Sequence, residues 1–228
     1  MMRDFDFVGW LSQTMGKGPW KCRCGVAIDH PGVCDPCGEK LAREQAEAPV
    51  RTAVESIPPR FRWARFDAEQ LRERVRPVAA VQQAIEATDL LSSIGQSVVI
   101  IGPAGSGKTS LACAILRAVA MRRGGHAWRC RFAAALEIGA ARGAYGTRSP
   151  LESDAIAASC LLLDDVGQET EADRIHIAEV LHARHDAERP TIVTSAFEPP
   201  VIHARYGGGV DRRIFEGASL IFVGGQHV

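Results

Sequence analysis

Residues 97–110 read SVVIIGPAGSGKTS, and the rest of the chain is organised around them. The run Ser97–Ile101 is rich in β-branched apolar residues, which predicts a buried strand. Gly102–Thr109 then match the phosphate-loop pattern GxxxxGK[ST], and apolar residues at helical spacing follow at once. The pattern therefore stands in the context that a phosphate loop requires, between a strand and a helix.

The residue types of this loop suit the binding of a nucleotide and its metal ion. Glycines let successive backbone N–H groups turn inward around phosphate oxygens, and the helix N-terminus adds partial positive charge. Lys108 can reach the β- and γ-phosphates, and Thr109 can offer its hydroxyl to Mg²⁺. We therefore predict that nine consecutive residues bind the nucleotide: Gly102, Pro103, Ala104, Gly105, Ser106, Gly107, Lys108, Thr109 and Ser110.

A second anchor is the apolar run Cys160–Leu163, which ends in Asp164 and Asp165. A buried strand that ends in paired acids is typical of a Walker B motif. Since the carboxyl ends of parallel strands meet at one crevice, we expect both acids to lie beside the phosphate loop. Asp164 is predicted to hold Mg²⁺, directly or through water, and Asp165 to orient or activate the attacking water.

Composition restricts the class of protein. The chain has 228 residues, of which 46% are hydrophobic and 24% charged, as expected for one globular domain with a small appendage. Its 27 Lys and Arg equal its 27 Asp and Glu, so no strong overall charge indicates a nucleic-acid partner. No apolar run reaches the length of a membrane span and the N-terminus lacks a signal-peptide core, which predicts a cytoplasmic protein without a membrane partner.

Seven cysteines in a cytoplasmic chain indicate metal ligands or buried thiols rather than disulfides. Four of them form two close pairs, each followed by Gly: Cys22 and Cys24, then Cys34 and Cys37. Four thiolates match a tetrahedral Zn²⁺ site, and zinc would give this apolar-poor segment on the order of 10 kcal/mol of folding free energy. A redox pair, free thiols, or His30 in place of one thiolate are the alternatives.

Further elements are predicted from periodicity and from Gly and Pro. Helices are predicted at 77–95, 133–141 and 171–188, strands at 127–132, 191–195 and 219–223, and a Gly-rich turn at 207–209. Ser195 ends one strand, where its hydroxyl can sense the γ-phosphate or provide ordinary strand-end polarity. Arg142 and Arg148 lie in a loop at 142–150 that can contact single-stranded nucleic acid, although a solvated loop is the simpler interpretation.

With both motifs placed, the chain from about Ile57 to Gly225 resembles the DnaC and IstB branch of AAA+ ATPases, which includes bacterial and phage helicase loaders and transposase-helper ATPases. The segments that carry the resemblance are Ile57–Phe61, Gly102–Thr109, Leu161–Gly167, Arg189–Ser195 and Val210–Ile214 with Gly217. The resemblance implies a P-loop α/β fold with a five-stranded parallel sheet flanked by helices, and it implies ATP and Mg²⁺. It also implies that Arg213 is an arginine finger that acts on nucleotide held by a neighbouring subunit.

Three departures from the family pattern all favour a slow ATP-dependent switch over a strong motor. Ala196 and Phe197 follow Ser195, where the family usually carries Asn. Asp165 stands where many AAA+ ATPases have Glu. The chain ends soon after Gly225, so we expect no C-terminal helical lid.

The residues and the resemblance together predict four segments. Residues 1–21 form an N-terminal arm, 22–40 a zinc-binding module, 41–75 a linker or strap, and 76–228 the AAA+ ATPase domain. Helicase loaders of this branch often carry an N-terminal partner-binding domain. The position of the cysteine module in the chain is similar to that of such a domain.

The favoured functional hypothesis is therefore a helicase loader of bacterial or phage type. Its N-terminal module would grip a hexameric replicative helicase, and its AAA+ domain would self-associate through the arginine finger and meet single-stranded DNA. The expected catalytic residues are Lys108, Asp164, Asp165, Arg213 and Ser195. The alternatives are an IstB-like transposase-helper ATPase and a regulator that binds ATP without hydrolysing it.

Overall fold

The computed structural model describes residues 20–29, 31–123, 129–141 and 147–224. The chain divides into two compact units, Met1–Gln45 and Ala46–Val228. The four segment boundaries expected from the sequence remain predictions.

The first unit is built around a small hairpin. Strand β1 (Trp20–Lys21) pairs antiparallel with β2 (Ala27–Ile28), and the first cysteine pair lies in the turn between them. Helix α1 begins at Asp35 and ends at Ser56, so it continues past the end of this unit, and residues 41–56 are helical where a linker or strap was expected. The two cysteine pairs therefore lie in the hairpin turn and at the start of a helix.

The second unit contains a parallel sheet with helices on both faces. A 3₁₀ turn at Pro59–Phe61 precedes α2 (Glu69–Arg74), α3 (Ala79–Ile94), β3 (Val98–Ile101), α4 (Lys108–Arg122), β4 (Cys130–Ala134), α5 (Ala135–Ala140), α6 (Pro150–Ala157), β5 (Cys160–Asp164), α7 (Arg174–Asp186), β6 (Thr191–Ser195), α8 (Pro199–Tyr206), α9 (Gly208–Phe215) and β7 (Ser219–Phe222).

The five strands of this unit run parallel in the order β4-β5-β6-β3-β7, which confirms the predicted five-stranded parallel sheet. Every residue of β3, β5 and β6 is buried, as expected for strands covered on both faces. The β3 strand lies between β6 and β7. After β3 the chain crosses to β4 at the edge of the sheet, and β5 and β6 then lead back to the side of β3. This reversal creates the crevice at which α/β proteins bind ligands.

Alternate residues of β3 build two separate cores. Val98 and Ile100 pack with apolar residues of α3 and α4 on one face of the sheet, whereas Val99 and Ile101 pack with residues of α7 on the other. Side chains of a strand point alternately to opposite faces, so one run of apolar residues fills both cores. This three-layer packing holds the loop after β3 at the edge of the sheet.

Several elements differ from the sequence expectation at their ends. The Gly207–Gly209 stretch, expected to be a turn, contributes the first residues of α9, because Gly207 alone makes the break with φ of +80°. Pro150, expected to close a loop, begins α6, and the Ser149 hydroxyl caps that helix by accepting from the Glu152 N–H at 3.1 Å. Residues 124–128 lie outside the described ranges, so the predicted start of β4 stays a prediction.

No helix among residues 20–29, 31–123, 129–141 and 147–224 combines the length and apolar character needed to cross a bilayer.

Candidate nucleotide site and cysteine cluster

The phosphate loop lies at the carboxyl edge of the sheet, at the strand-order reversal. Ile101 ends β3 opposite Ser195 of β6 and Phe222 of β7. Asp164 ends the neighbouring strand β5 at the same edge. The tertiary structure therefore brings the glycine loop and the paired acids to one crevice.

Two glycines of the loop occupy positions that no other residue fits. A Cβ at Gly102 would collide with the main-chain oxygen of Val223, which follows β7. Gly107 has φ of +89°, and a Cβ there would come within 2.9 Å of the Val75 side chain. The loop can therefore close against β7 and turn into α4 only with glycine at both positions.

Helix α4 begins at Lys108, directly after Gly107, and no described side chain caps its first turn. The first backbone N–H groups of a helix have no partner within the helix, so they can donate to an anion. The Lys108 side chain is 6% exposed, and its Nζ donates to the Pro103 carbonyl at 2.9 Å. Burial lowers the pKa of Lys108, and the carboxylates of Asp165 and Asp164 oppose that effect.

A cleft of about 540 Å³ opens above this loop. Its size is within the range of small-molecule sites. The cleft is lined by Arg60, Phe61, Arg74, Ala104, Gly105, Gly107, Lys108, Thr109, Ser110, Asp165, Gln168 and Ala196. Most of the predicted nucleotide-binding residues thus share one cavity.

Asp164 is buried next to Thr109 and Asp165 of the cleft and accepts two hydroxyl hydrogen bonds. Thr109 Oγ1 donates at 3.2 Å and Thr194 Oγ1 at 2.6 Å. Thr109 and Asp164 are therefore close enough to share one ion, as their predicted roles require. Asp164 is 4% exposed, and burial raises the pKa of its carboxyl to about 6, against the lowering effect of the Thr194 hydrogen bond.

The strand-end hydroxyl that touches the Walker B acid belongs to Thr194, which the sequence did not single out. Leu163 pairs with Val193, so Asp164 and Thr194 come next to each other at the strand ends. Ser195 donates instead to the Val166 carbonyl at 2.7 Å and accepts from the Phe197 N–H at 3.1 Å. With 2% exposure, the Ser195 hydroxyl has main-chain partners on both sides, and its predicted sensing role remains a prediction.

Asp165 follows with an uncommon backbone conformation. Its φ is +56°, and its N–H donates to Thr194 Oγ1 at 2.9 Å. A left-handed conformation in a non-glycine residue costs free energy and concentrates at functional sites. In this conformation Asp165 is one of the residues that line the cleft, whereas Asp164 is not.

Two cations of the cleft wall were not identified as site residues from the sequence. The Arg60 guanidinium lies 4.7 Å from the centre of the Phe61 ring, and that of Arg74 lies 5.2 Å from the Trp63 ring. The Arg117 guanidinium of α4 donates a hydrogen bond of 2.9 Å to the Arg62 carbonyl, which holds the segment around Arg62 beside the helix that follows the phosphate loop. Arg60 stands next to Phe61 in the sequence, whereas the pairing of Arg74 with Trp63 depends on the fold.

Arg213 lies far from this cleft, at the opposite edge of the sheet. It lines a separate cavity of about 350 Å³ with Ser97 and Thr191, which mark the amino ends of β3 and β6. Its guanidinium donates to the Gly209 carbonyl at 2.8 Å and lies 3.9 Å from Asp186. The predicted action of Arg213 on nucleotide held by a neighbouring subunit stays a prediction.

The four predicted zinc ligands converge in the first unit. The sulfurs of Cys22, Cys24, Cys34 and Cys37 all lie within 4.8 Å of one another, and those of Cys24 and Cys34 are 3.5 Å apart. The Cys22 N–H donates to the Val26 carbonyl at 2.8 Å, which closes the first knuckle. This set of thiols fits a tetrahedral metal ion.

Hydrogen bonds and neighbouring sulfurs shift the pKa values of Cys22 and Cys37 in opposite directions. Backbone hydrogen bonds from Cys24 and then Cys34 lower the pKa of the Cys22 thiol to about 6. The neighbouring sulfurs, that of Cys24 first, raise the pKa of Cys37 to about 12. Such a cluster gains most from a cation that keeps every thiolate deprotonated. The alternative ligand His30 lies outside the described residues.

The predicted nucleic-acid loop is only partly described. Residues 142–146, with Arg142, lie outside the described ranges. Arg148 lies 3.6 Å from Glu152 of α6 and is largely exposed. The contact with nucleic acid therefore stays a prediction.

Asp164→Asn is expected to stabilise the protein in the absence of Mg²⁺ and nucleotide. The folded pKa of about 6 exceeds the usual 3.8, so the folded state binds more protons between these values. The free-energy cost of burying the charged Asp164 carboxylate in the folded protein is complete above about pH 6 and disappears below about pH 4. Asparagine keeps the shape without the charge, so unfolding by urea should need about 2–3 kcal/mol more near pH 8. Near pH 4 the two proteins should be equally stable, and a gain independent of pH would contradict this.

Comparisons with known proteins agree with this geometry. The solved DnaC helicase loader matches with a TM-score of 0.59 and 21% identity, over 73% of this chain and 100% of that chain. The DnaI structure matches with a TM-score of 0.54 and 17% identity, over 78% and 91%. The replication initiator DnaA bound to AMPPCP and single-stranded DNA matches with a TM-score of 0.51 and 22% identity, over 76% and 50%. At these identities the likeness shows a shared fold.

Sequence comparison identifies the family. No protein with a curated description matches the chain. The sequence model for IstB-like ATP binding proteins matches residues 39–202, which is more than half of the chain and includes the phosphate loop and the Walker B strand. The chain is therefore a P-loop ATPase of the AAA+ type that belongs to the family of IstB-like ATP-binding proteins.

Proposed function

We propose that this ATPase loads a replicative DNA helicase, with ATP and Mg²⁺ in the cleft as the switch. The observation that carries the proposal is the shared fold over the full length of the DnaC helicase loader chain. The cysteine cluster outside the ATPase unit supports it, because a loader needs a surface for the helicase besides its nucleotide site.

Each residue of the cleft has a proposed role in the switch. Lys108 binds the β- and γ-phosphates, and Thr109 and Asp164 hold Mg²⁺ through the oxygens that lie 3.2 Å apart. Asp165, turned toward the cleft by its positive φ, orients the attacking water. Thr194 fixes the carboxylate of Asp164 and the backbone of Asp165, so it positions both acids.

Zinc is the proposed ion of the cysteine cluster. Four thiolates select zinc over Mg²⁺, and a hairpin with two-residue strands has little apolar surface of its own. The metal would then hold the first unit in the shape that grips the hexameric helicase. Self-association through Arg213 and contact with single-stranded DNA complete the proposal.

Cys34→Ser is expected to weaken capture of the replicative helicase at least tenfold, as an order-of-magnitude estimate for a lost zinc ligand. The measurement is co-purification of the purified hexameric helicase with the full chain in the presence of ATP and Mg²⁺. ATP affinity is the internal control, and it should stay unchanged because the nucleotide cleft lies in the other unit. Equal capture by both proteins would remove the proposed role of the cluster.

The family match also favours a second candidate, an ATPase that assists a transposase. The two functions predict different partners for the same protein. A loader captures the helicase and responds to single-stranded DNA with a change in ATP turnover. A transposase helper captures a transposase and responds to duplex DNA, and that result would replace the loader proposal.

A further inference from the structure

A second group of metal-ligating side chains lies on the helices α6 and α7, away from the nucleotide cleft. Glu152 projects from α6, and His176 and Glu179 project from α7, three residues apart. One ligand atom from each lies within 4.8 Å of those of the other two. Since i and i+3 positions share one helix face, α7 presents a nitrogen and an oxygen ligand side by side.

The buried member of this group lacks the hydrogen bonds that burial normally demands. Glu152 is 1% exposed, yet its Oε1 has no hydrogen-bond partner among the described residues. The same holds for the buried Nδ1 of His176, which lies 3.6 Å from Oε2 of Glu152. Buried polar atoms without partners are costly, and a ligand that contacts both atoms would remove that cost.

The charges of the group are also unbalanced. Glu152 and Glu179 bring two carboxylates together, and the nearest described ion-pair partner of Glu152 besides His176 is Arg148, at 3.6 Å with its side chain 55% exposed. One exposed arginine does not neutralise two acids, whereas a divalent cation does.

We propose that Glu152, His176 and Glu179 form a binding site for a first-row divalent metal ion of the Zn²⁺ class. One imidazole nitrogen and two carboxylate oxygens are a donor set that such ions accept. Ligand atoms about 2.1 Å from a tetrahedral ion are about 3.4 Å apart. The 3.6 Å between His176 Nδ1 and Glu152 Oε2 already matches that spacing, and a Glu179 oxygen lies within 4.8 Å of the ligand atoms of both.

The metal would connect two helices that the sequence separates. Helix α6 precedes β5, and α7 follows the loop that carries Asp165. An ion shared by Glu152 and the two α7 ligands would hold α6 and α7 together beside the strand that ends in Asp164. Its expected role is to stabilise this part of the ATPase unit, because none of the three side chains lines the nucleotide cleft.

The test counts zinc in the full chain after saturation with Zn²⁺ and gel filtration, by elemental analysis. Wild-type protein should hold one equivalent of zinc more than His176→Ala or Glu152→Gln. His185→Ala is the matched control and should hold as much zinc as wild type, because His185 lies at an exposed position of α7. Glu152→Gln keeps the size of the side chain, so it guards against misfolding as a cause. Titration should show at least about 10–100-fold weaker binding of that equivalent in both variants.

Co²⁺ separates this site from the cysteine cluster, because thiolate ligands give an intense charge-transfer absorption that a nitrogen and oxygen site lacks. In wild-type protein, the thiolate absorption should first rise to a plateau as the cysteine cluster fills with Co²⁺. Further Co²⁺ should still bind without raising this absorption, and it should raise the melting temperature. His176→Ala should lose that step alone. Equal metal content and equal melting temperatures in all four proteins would overturn the proposal.

Discussion

Arg213→Ala is expected to reduce ATP turnover by about 10³-fold or more while it leaves ATP affinity nearly unchanged. Arg213 lies at the amino edge of the sheet, with Ser97 and Thr191, and the nucleotide cleft opens at the carboxyl edge. A residue so placed can stabilise the transition state only on a neighbouring molecule. Its hydrogen bond to the Gly209 carbonyl is exposed and its 3.9 Å contact with Asp186 is long, so both are weak enough for a partner's phosphates to displace them.

The mixing experiment distinguishes action between molecules from a structural role. Lys108→Ala and Arg213→Ala are each inactive alone, but a mixture pairs an intact cleft with an intact finger and should regain part of the turnover. Arg212→Ala is the matched control, because Arg212 is exposed and lies 3.5 Å from Glu216, the residue that follows its helix. A mixture without activity, or full turnover by Arg213→Ala alone, would contradict the proposed finger.

Lys108→Ala is expected to lower turnover by about 10²–10³-fold and to weaken ATP binding. The ammonium of Lys108 is the one buried cation beside Asp164 and Asp165 among the described residues of the cleft, and only the Pro103 carbonyl holds it. Without it, the phosphates lose the buried cation that offsets the charge of Asp164 and Asp165. Fluorescent nucleotide titration and phosphate release measure the two effects.

Thermal unfolding supplies the control for this variant. Lys108 begins helix α4, and alanine is a good residue at that position, so the melting temperature should change little. Unchanged ATP affinity in a folded Lys108→Ala protein would contradict the assignment of the cleft as the nucleotide site.

Local sequence predicted the motif elements well. The apolar runs before Gly102 and Asp164 became buried strands, and Gly95 ends α3 in the left-handed conformation. The motif made the glycines of the phosphate loop predictable from the sequence, whereas the contacts that exclude a Cβ at Gly102 and Gly107, with Val223 and Val75, come from the tertiary structure.

Details of the site depended on pairing between distant strands. The sequence offered two adjacent hydroxyls at the end of β6, and only the register of β6 against β5 placed Thr194, rather than Ser195, beside Asp164. The cluster of Glu152, His176 and Glu179 was equally hidden, because its members come from helices on either side of β5. Neither arrangement has a signal within a short window of residues.

The sequence by itself determined that a nucleotide cradle, a pair of acids and a four-cysteine cluster exist, since each is encoded by a few neighbouring residues. The tertiary structure decided that the cradle and the acids share one edge of the sheet and that Arg213 lies at the other. The physical reason is the order β4-β5-β6-β3-β7, which long-range hydrogen bonding and burial on both faces select.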